Sequence, residues 1–241
     1  MLNVLKQHGF EGSALKAVLF DMDGVLFDSM PNHVTSWRQA VRPFGLELTE
    51  EEVYLNEGRT GSGTIQVLAQ RFWGREATEA ECQAIYETKS ALFNTCPEAS
   101  PMAGALEAVE AVRQAGWKRV VVTGSGQLSL LDRLNAAFPH LFSSELMVTA
   151  FDVKNGKPHP EPYLMGLKKA GVVSSEAVVV ENAPLGVEAA RAAGIFTIAV
   201  NTGPLPDEVL LQAGANWVLP DMQTLARMVH STSITSSRTK E

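Results

Sequence analysis

Six short apolar runs constrain the fold more than any other feature of this chain. They are Ala17 to Phe20, Val120 to Thr123, Leu146 to Thr149, Ala177 to Val180, Phe196 to Val200 and Trp217 to Leu219. Most lack the apolar-polar alternation of a strand with one wet face, so they read as strands covered on both sides of a parallel sheet. Helical stretches separate most of them. Gly104 to Ala115 carries apolar residues at helical spacing and stops at Gly116; Ala-rich Pro184 to Ala193 stops at Gly194, a residue suited to the left-handed turn after a helix. Strands alternating with helices build βαβ units, and the expected fold class is α/β, a doubly wound parallel sheet.

One region breaks the alternation. Asp28 to Thr95 holds no clear buried strand and reads as consecutive helices. Thr49-Glu50-Glu51-Glu52 opens one as a capping box, and Thr78 with Glu81 opens another. Two prolines between Asn94 and Gly104 end the segment. The expected organisation is an N-terminal tail at 1–14, a core domain from 15–28 and 97–230, an inserted helical cap domain at 29–96, and a disordered Ser/Thr-rich tail at 231–241. Insertions of this kind fall on the catalytic rim and often act as lids.

Composition excludes several classes. A net charge of −7 and no basic stripe argue against a nucleic-acid partner. Two cysteines, Cys82 and Cys96, make neither a disulfide framework nor a Cys-rich zinc site. No apolar run reaches the roughly 18 residues of a membrane span, and 1–11 lacks the apolar stretch of a signal peptide. A cytoplasmic protein without membrane or nucleic-acid partners is expected.

The polar residues gather where the strands end. Asp21 and Asp23 follow the first run, at the edge where open α/β sheets place ligands. Two carboxylates about 4 Å apart repel by roughly 4 kcal/mol at an effective dielectric near 20, which a divalent cation would offset. Asp-Gly after a strand is also ordinary turn chemistry. Thr123-Gly124-Ser125 ends the second run with hydroxyls and small residues able to donate to phosphate oxygens. Lys157 lies in Gly156-Lys157-Pro158, a stiff loop before a helix, where a point cation can stabilise a transferring phosphoryl group; a plain surface lysine is the alternative. Glu181-Asn182 ends another run with two oxygen donors, and oxygen ligands without His or Cys suit Mg²⁺.

Phe20-Asp21-Met22-Asp23-Gly24-Val25, the strand-end Thr123, Gly156-Lys157-Pro158 and Glu181-Asn182 resemble, in order and spacing, the four motifs of the haloacid dehalogenase superfamily. The resemblance spans residues 15–225 and is strongest to the β-phosphoglucomutase-like branch, through Asp28-Ser29, His33, Trp37 and Gly186 to Gly194. It implies a Mg²⁺-dependent phosphohydrolase. Asp21 would form an aspartyl-phosphate, and Asp23 would protonate the leaving group and then activate water. Thr123, Gly124 and Ser125 would hold phosphoryl oxygens, and Lys157 would neutralise charge. The metal would take Asp21, the backbone carbonyl of Asp23, and the fourth motif through Asn182 and Glu181.

Two departures matter. Many relatives carry Glu-Asp where this chain has Glu181-Asn182, so one negative charge is missing. The cap segment Asn56-Glu57-Gly58-Arg59-Thr60-Gly61 has glycines that permit close backbone approach, so Glu57 and Arg59 could face the core. Together with Thr123 to Leu131 and Val180 to Ala189, it is similar to the inorganic pyrophosphatases of this branch. That resemblance implies pyrophosphate hydrolysis, Glu57 as a metal ligand and Arg59 near the substrate; Glu57 as a solvated loop carboxylate stays open. The alternatives are a β-phosphoglucomutase or a sugar-phosphate phosphatase. His33 is expected either to orient Asp23 or to sit in a hinge helix bonded to backbone, and Trp37 to pack between cap and core. A dinucleotide site built on Gly124, Gly126 and Glu145 lacks its third glycine, Ser129 standing there instead, and no Walker A sequence occurs. A non-catalytic binding module is disfavoured because every side chain the chemistry needs is present. A cap that opens and closes favours a monomer.

Overall fold

The computed structural model describes residues 2–12, 14–125 and 130–237. In chain order the elements are α1 (Leu2–Gln7), β1 (Ala17–Phe20), α2 (Met30–Val41), α3 (Glu50–Leu55), α4 (Gly61–Trp73), α5 (Glu79–Thr95), α6 (Ala105–Gln114), β2 (Lys118–Val122), α7 (Leu130–Ala137), β3 (Met147–Val148), α8 (Glu161–Ala170), β4 (Ala177–Glu181), α9 (Pro184–Ala192), β5 (Phe196–Val200), α10 (Asp207–Ala213), β6 (Trp217–Leu219) and α11 (Met222–Ser237).

The six strands form one sheet in the order β3-β2-β1-β4-β5-β6, and every neighbouring pair is parallel. The order runs outward in both directions from β1, the switch point where such sheets leave a crevice at the strand C-termini. Successive β1 residues feed opposite faces, as a period of two requires. Val18 and Phe20 pack with α6, α7 and α11, whereas Ala17 and Leu19 pack with α8 and α9. This two-sided burial is why the strands read as continuous apolar runs. Register then aligns their ends: Phe20 lies opposite Val121 on one side and Val180 on the other, so Asp21 emerges level with Val122 and Glu181.

Between Met30 and Thr95 the described chain is helical, without a strand. Both predicted capping boxes form. Thr49 and Glu52 bond reciprocally at 2.8 and 3.1 Å, and Thr78 and Glu81 at 2.8 and 3.3 Å. This helical lobe has its own apolar centre of Val34, Trp37, Ile65, Leu68 and Ile85, joined from the sheet side by Leu205.

The ends differ from expectation. The segment before β1 contains α1, and Leu5, Phe10 and Leu15 are buried against the sheet. Phe10 stands edge-on to Phe196, and His8 stacks on Trp217 at 3.8 Å. Three apolar side chains at irregular spacing carry no periodic signal, yet they suffice to cover one end of the sheet. At the other end α11 continues to Ser237, so the expected irregular tail is helical across 231–237; 238–241 lie outside the described residues. No described helix is long and apolar enough to cross a membrane.

Candidate active site

Asp21 is only 4% exposed. Lys157 Nζ forms an ion pair with Asp21 Oδ1, bonds Glu181 Oε1 at 2.6 Å, and donates to the Val122 carbonyl at 3.3 Å. All three ammonium protons are thereby used. Burial alone would strip Lys157 of its proton, but Asp21 and Glu181 reverse the sign and hold it well above the usual lysine range.

Glu181 anchors this lysine and is not a free ligand. Its Oε1 also accepts from the Tyr163 hydroxyl at 2.7 Å, and its Oε2 accepts the backbone N–H groups of Asn182 and Ala183 at 2.9 and 3.1 Å. Four donors fill the roughly four acceptor positions of a carboxylate. The expectation that Glu181 ligates the metal therefore gives way to a role in positioning Lys157. Tyr163, in the first turn of α8, carried no sequence signal.

Among the described residues two buried side-chain oxygens remain without a partner: Asp21 Oδ2 and Asn182 Oδ1. Such atoms cost about 1–3 kcal/mol each unless something binds them. The Asn182 amide is oriented by Glu57, whose Oε2 accepts from Asn182 Nδ2 at 3.1 Å, so the cap carboxylate reaches the sheet edge. Close approach is built into the backbone. A side chain at Gly24, where φ is +81°, would run into Asn182 Nδ2, and one at Gly58, φ +82°, would press on Lys157.

The electrostatics point the same way. Burial pushes the Asp21 carboxyl up to about 8, with Lys157 opposing and the Glu181 and Asp23 charges adding. Burial raises Glu57 well above its usual range, helped by Asp21, Glu181 and Asp23. Carboxylates outnumber ammonium groups here, a deficit a divalent cation would repair. The donors fit Mg²⁺, because the orphaned atoms are hard oxygens. Among the described residues no three His, Cys, Asp or Glu side chains by themselves form a metal-binding group.

Asp23 faces a different environment. Burial would raise its carboxyl, but His33, the Ser29 hydroxyl and Lys89 outweigh it and hold it below the usual carboxylate range. Ser29 donates to Asp23 Oδ1 at 2.5 Å, and His33 Nε2 stands 3.4 Å from the same oxygen. His33 Nδ1 is 3.1 Å from Lys89 Nζ, and Lys89 lies over the Phe93 ring at 4.5 Å. Burial lowers His33, opposed by the Asp23 carboxylate and reinforced by the Lys89 and Arg133 charges. Lys89 was missed at the sequence level: on α5 it reads as one more charged helix residue, and its partner is 56 positions away. Trp37 belongs to the helical lobe's own centre and lies 5.7 Å from the Lys89 ammonium.

A cleft of about 870 Å³ opens above Asp21 between sheet edge and cap. Asp21, Asp23, His33, Glu57, Arg59, Gly124 and Ser125 all line it. Thr123 is buried beneath, its hydroxyl accepting from the Ser125 N–H at 3.0 Å, and Arg59 donates to Asn56 at 3.1 Å. Gly126 and Ser129, considered for a dinucleotide site, lie outside the described residues.

Residues 18–200 match the family model of haloacid dehalogenase-like hydrolases. A phosphorylated carbohydrates phosphatase of Thermotoga maritima is 33% identical over 202 residues, 83% of this chain and 92% of the relative. Hexitol phosphatase A of Escherichia coli is 33% identical over 187 residues, 77% and 83% of the two chains. Among solved structures, "Putative beta-phosphoglucomutase from Bacteroides vulgatus" is 56% identical with a TM-score of 0.89, over 98% of this chain and 95% of that one. A family match over most of the sheet, with the strand-end side chains converging on Asp21, makes this chain a member of the haloacid dehalogenase-like hydrolases.

Proposed function

We propose that the protein is a Mg²⁺-dependent phosphohydrolase that works through an aspartyl-phosphate, with inorganic pyrophosphate as its preferred substrate. Asp21 attacks phosphorus, the bond to the leaving oxygen breaks, and water then releases the phosphoryl group from Asp21. Lys157 offsets charge on Asp21 and the incoming phosphoryl oxygens. Thr123 and the Gly124–Ser125 backbone would hold those oxygens. Asp23, kept ionised by Ser29 and His33, is suited to take the proton of the attacking water. Asp21 Oδ2, Asn182 Oδ1 and the Asp23 carbonyl would hold Mg²⁺, with Glu57 as the cap's contribution. When bound, the metal supplies positive charge at the phosphoryl group.

The observation that carries the choice of substrate is the Glu57–Asn182 hydrogen bond, which brings a cap carboxylate down over the nucleophile and favours a compact substrate.

A second reading, a sugar-phosphate phosphatase or β-phosphoglucomutase, draws on the relatives. The curated ones are named for carbohydrate phosphates, and the cleft has room for a hexose ring. A phosphate-release screen with Mg²⁺ across pyrophosphate, hexose phosphates and small organic phosphates separates the two. Pyrophosphate should give the highest kcat/KM, and a sugar phosphate ahead of it would overturn the main reading.

A further inference from the structure

We infer that Arg133 binds a negative charge on the leaving group, so that the site selects substrates whose leaving group is itself an anion. This deepens the function proposed above and rests on Asp21 being the point of attack.

Arg133 lies on α7 and lines the same cleft as Asp21, Asp23 and His33. Its guanidinium carbon stands 5.0 Å over the Phe27 ring, which holds a flat cation without satisfying its hydrogen bonds. Among the described residues it has no carboxylate partner. This sets it apart from Arg71, Arg75 and Arg113, each of which pairs with a glutamate on the outer surface. The cleft is lined by the carboxylates Asp21 and Asp23 at the sheet edge and Glu57 from the helical lobe, and by three cations, Arg59 and Lys89 from the lobe and Arg133 on the α7 flank. That flank is close enough for the Arg133 charge to act on His33. A phosphoryl group centred on Asp21 would direct its leaving group away from the crowded carboxylates, toward the flank. A guanidinium there matches a phosphate or carboxylate with two parallel hydrogen bonds, which a hydroxyl cannot reciprocate.

The test compares two substrates in the full chain at saturating Mg²⁺: pyrophosphate, with an anionic leaving group, and phenyl phosphate, with none beyond the departing oxygen. Arg133→Met should lose at least about tenfold more kcat/KM on pyrophosphate than on phenyl phosphate, with the excess in KM. Arg133→Lys keeps the charge but not the fork and should show a smaller excess, about threefold. Equal losses on both substrates, or none on pyrophosphate, overturn the inference. Should Arg133→Met not fold, Arg133→Lys decides alone, and no excess loss on pyrophosphate is the negative result. If the wild type does not turn over pyrophosphate, the proposed function falls by itself. Arg133 is then read on 2-phosphoglycolate against 2-hydroxyethyl phosphate, which differ by a carboxylate, and equal losses on that pair overturn the inference.

Discussion

The sheet edge and the helical lobe contribute to one cleft in opposite ways. The sheet edge presents Asp21, Thr123, Glu181 and Asn182 from strand ends whose register is locked by ladder hydrogen bonds. Their separations follow from the backbone, and burial fixes their side chains. The helical lobe presents Glu57, Arg59, His33 and Lys89 from helices and a loop, and their positions depend on how the lobe docks. Chemistry that must not move is built on the sheet; groups that adapt to a substrate come from the lobe.

Variants on the two sides should therefore fail differently. Asp21→Asn, on the sheet side, should lower phosphate release by about 10⁴-fold or more with little change in melting temperature. Release within tenfold of wild type would remove Asp21 as nucleophile. Lys157→Met leaves Asp21 and Glu181 buried without their cation. It should cost about 3–5 kcal/mol and lower the melting temperature by roughly 10 °C, read by calorimetry. An unchanged melting temperature would mean the cluster neutralises itself by taking up protons.

Lys89 tests the lobe through pH. Burial lowers its ammonium to about 8, against 10.5 when unfolded. Between those values the unfolded chain binds the extra proton, so stability should rise with pH across that window and lose the gain below about 8. The difference between wild type and Lys89→Met in urea denaturation should shift toward wild type by about 3 kcal/mol from pH 7.5 to 10.5. A pH-independent difference would show that Lys89 is not buried as a cation. Tyr163→Phe, back on the sheet side, removes one hydrogen bond to a charged acceptor and should cost about 1.5–3 kcal/mol of stability. Glu57→Ala should weaken Mg²⁺ affinity, measured by titration calorimetry, by about tenfold while leaving the melting point of the metal-free protein nearly unchanged. Equal affinity would return Glu57 to the status of a loop carboxylate.

The same contrast explains what could be read from the chain. Val178 to Val180 announces a strand covered on both faces, and the polar residues just past each such run are the site, because a strand end is a local event. Glu181 stands at its strand end, but nothing local to it shows that Lys157 and Tyr163 already bond its oxygens. Lys89 and Arg133 stayed hidden for a related reason. Each looks like a solvated helix residue until a ring from elsewhere in the chain, Phe93 or Phe27, is brought beneath it. Leu5 and Phe10 were overlooked because two anchors in a short polar segment generate no period.

The three committed protons of Lys157 have a kinetic meaning. An ammonium tied at once to β1, the end of β2 and β4 cannot reorient when charge moves from Asp21 to an incoming phosphoryl group. The ordering of that charge is completed when the chain folds, so each turnover begins with the stabilising field already aligned, and little of the barrier is left to the reorganisation of the enzyme's own dipoles.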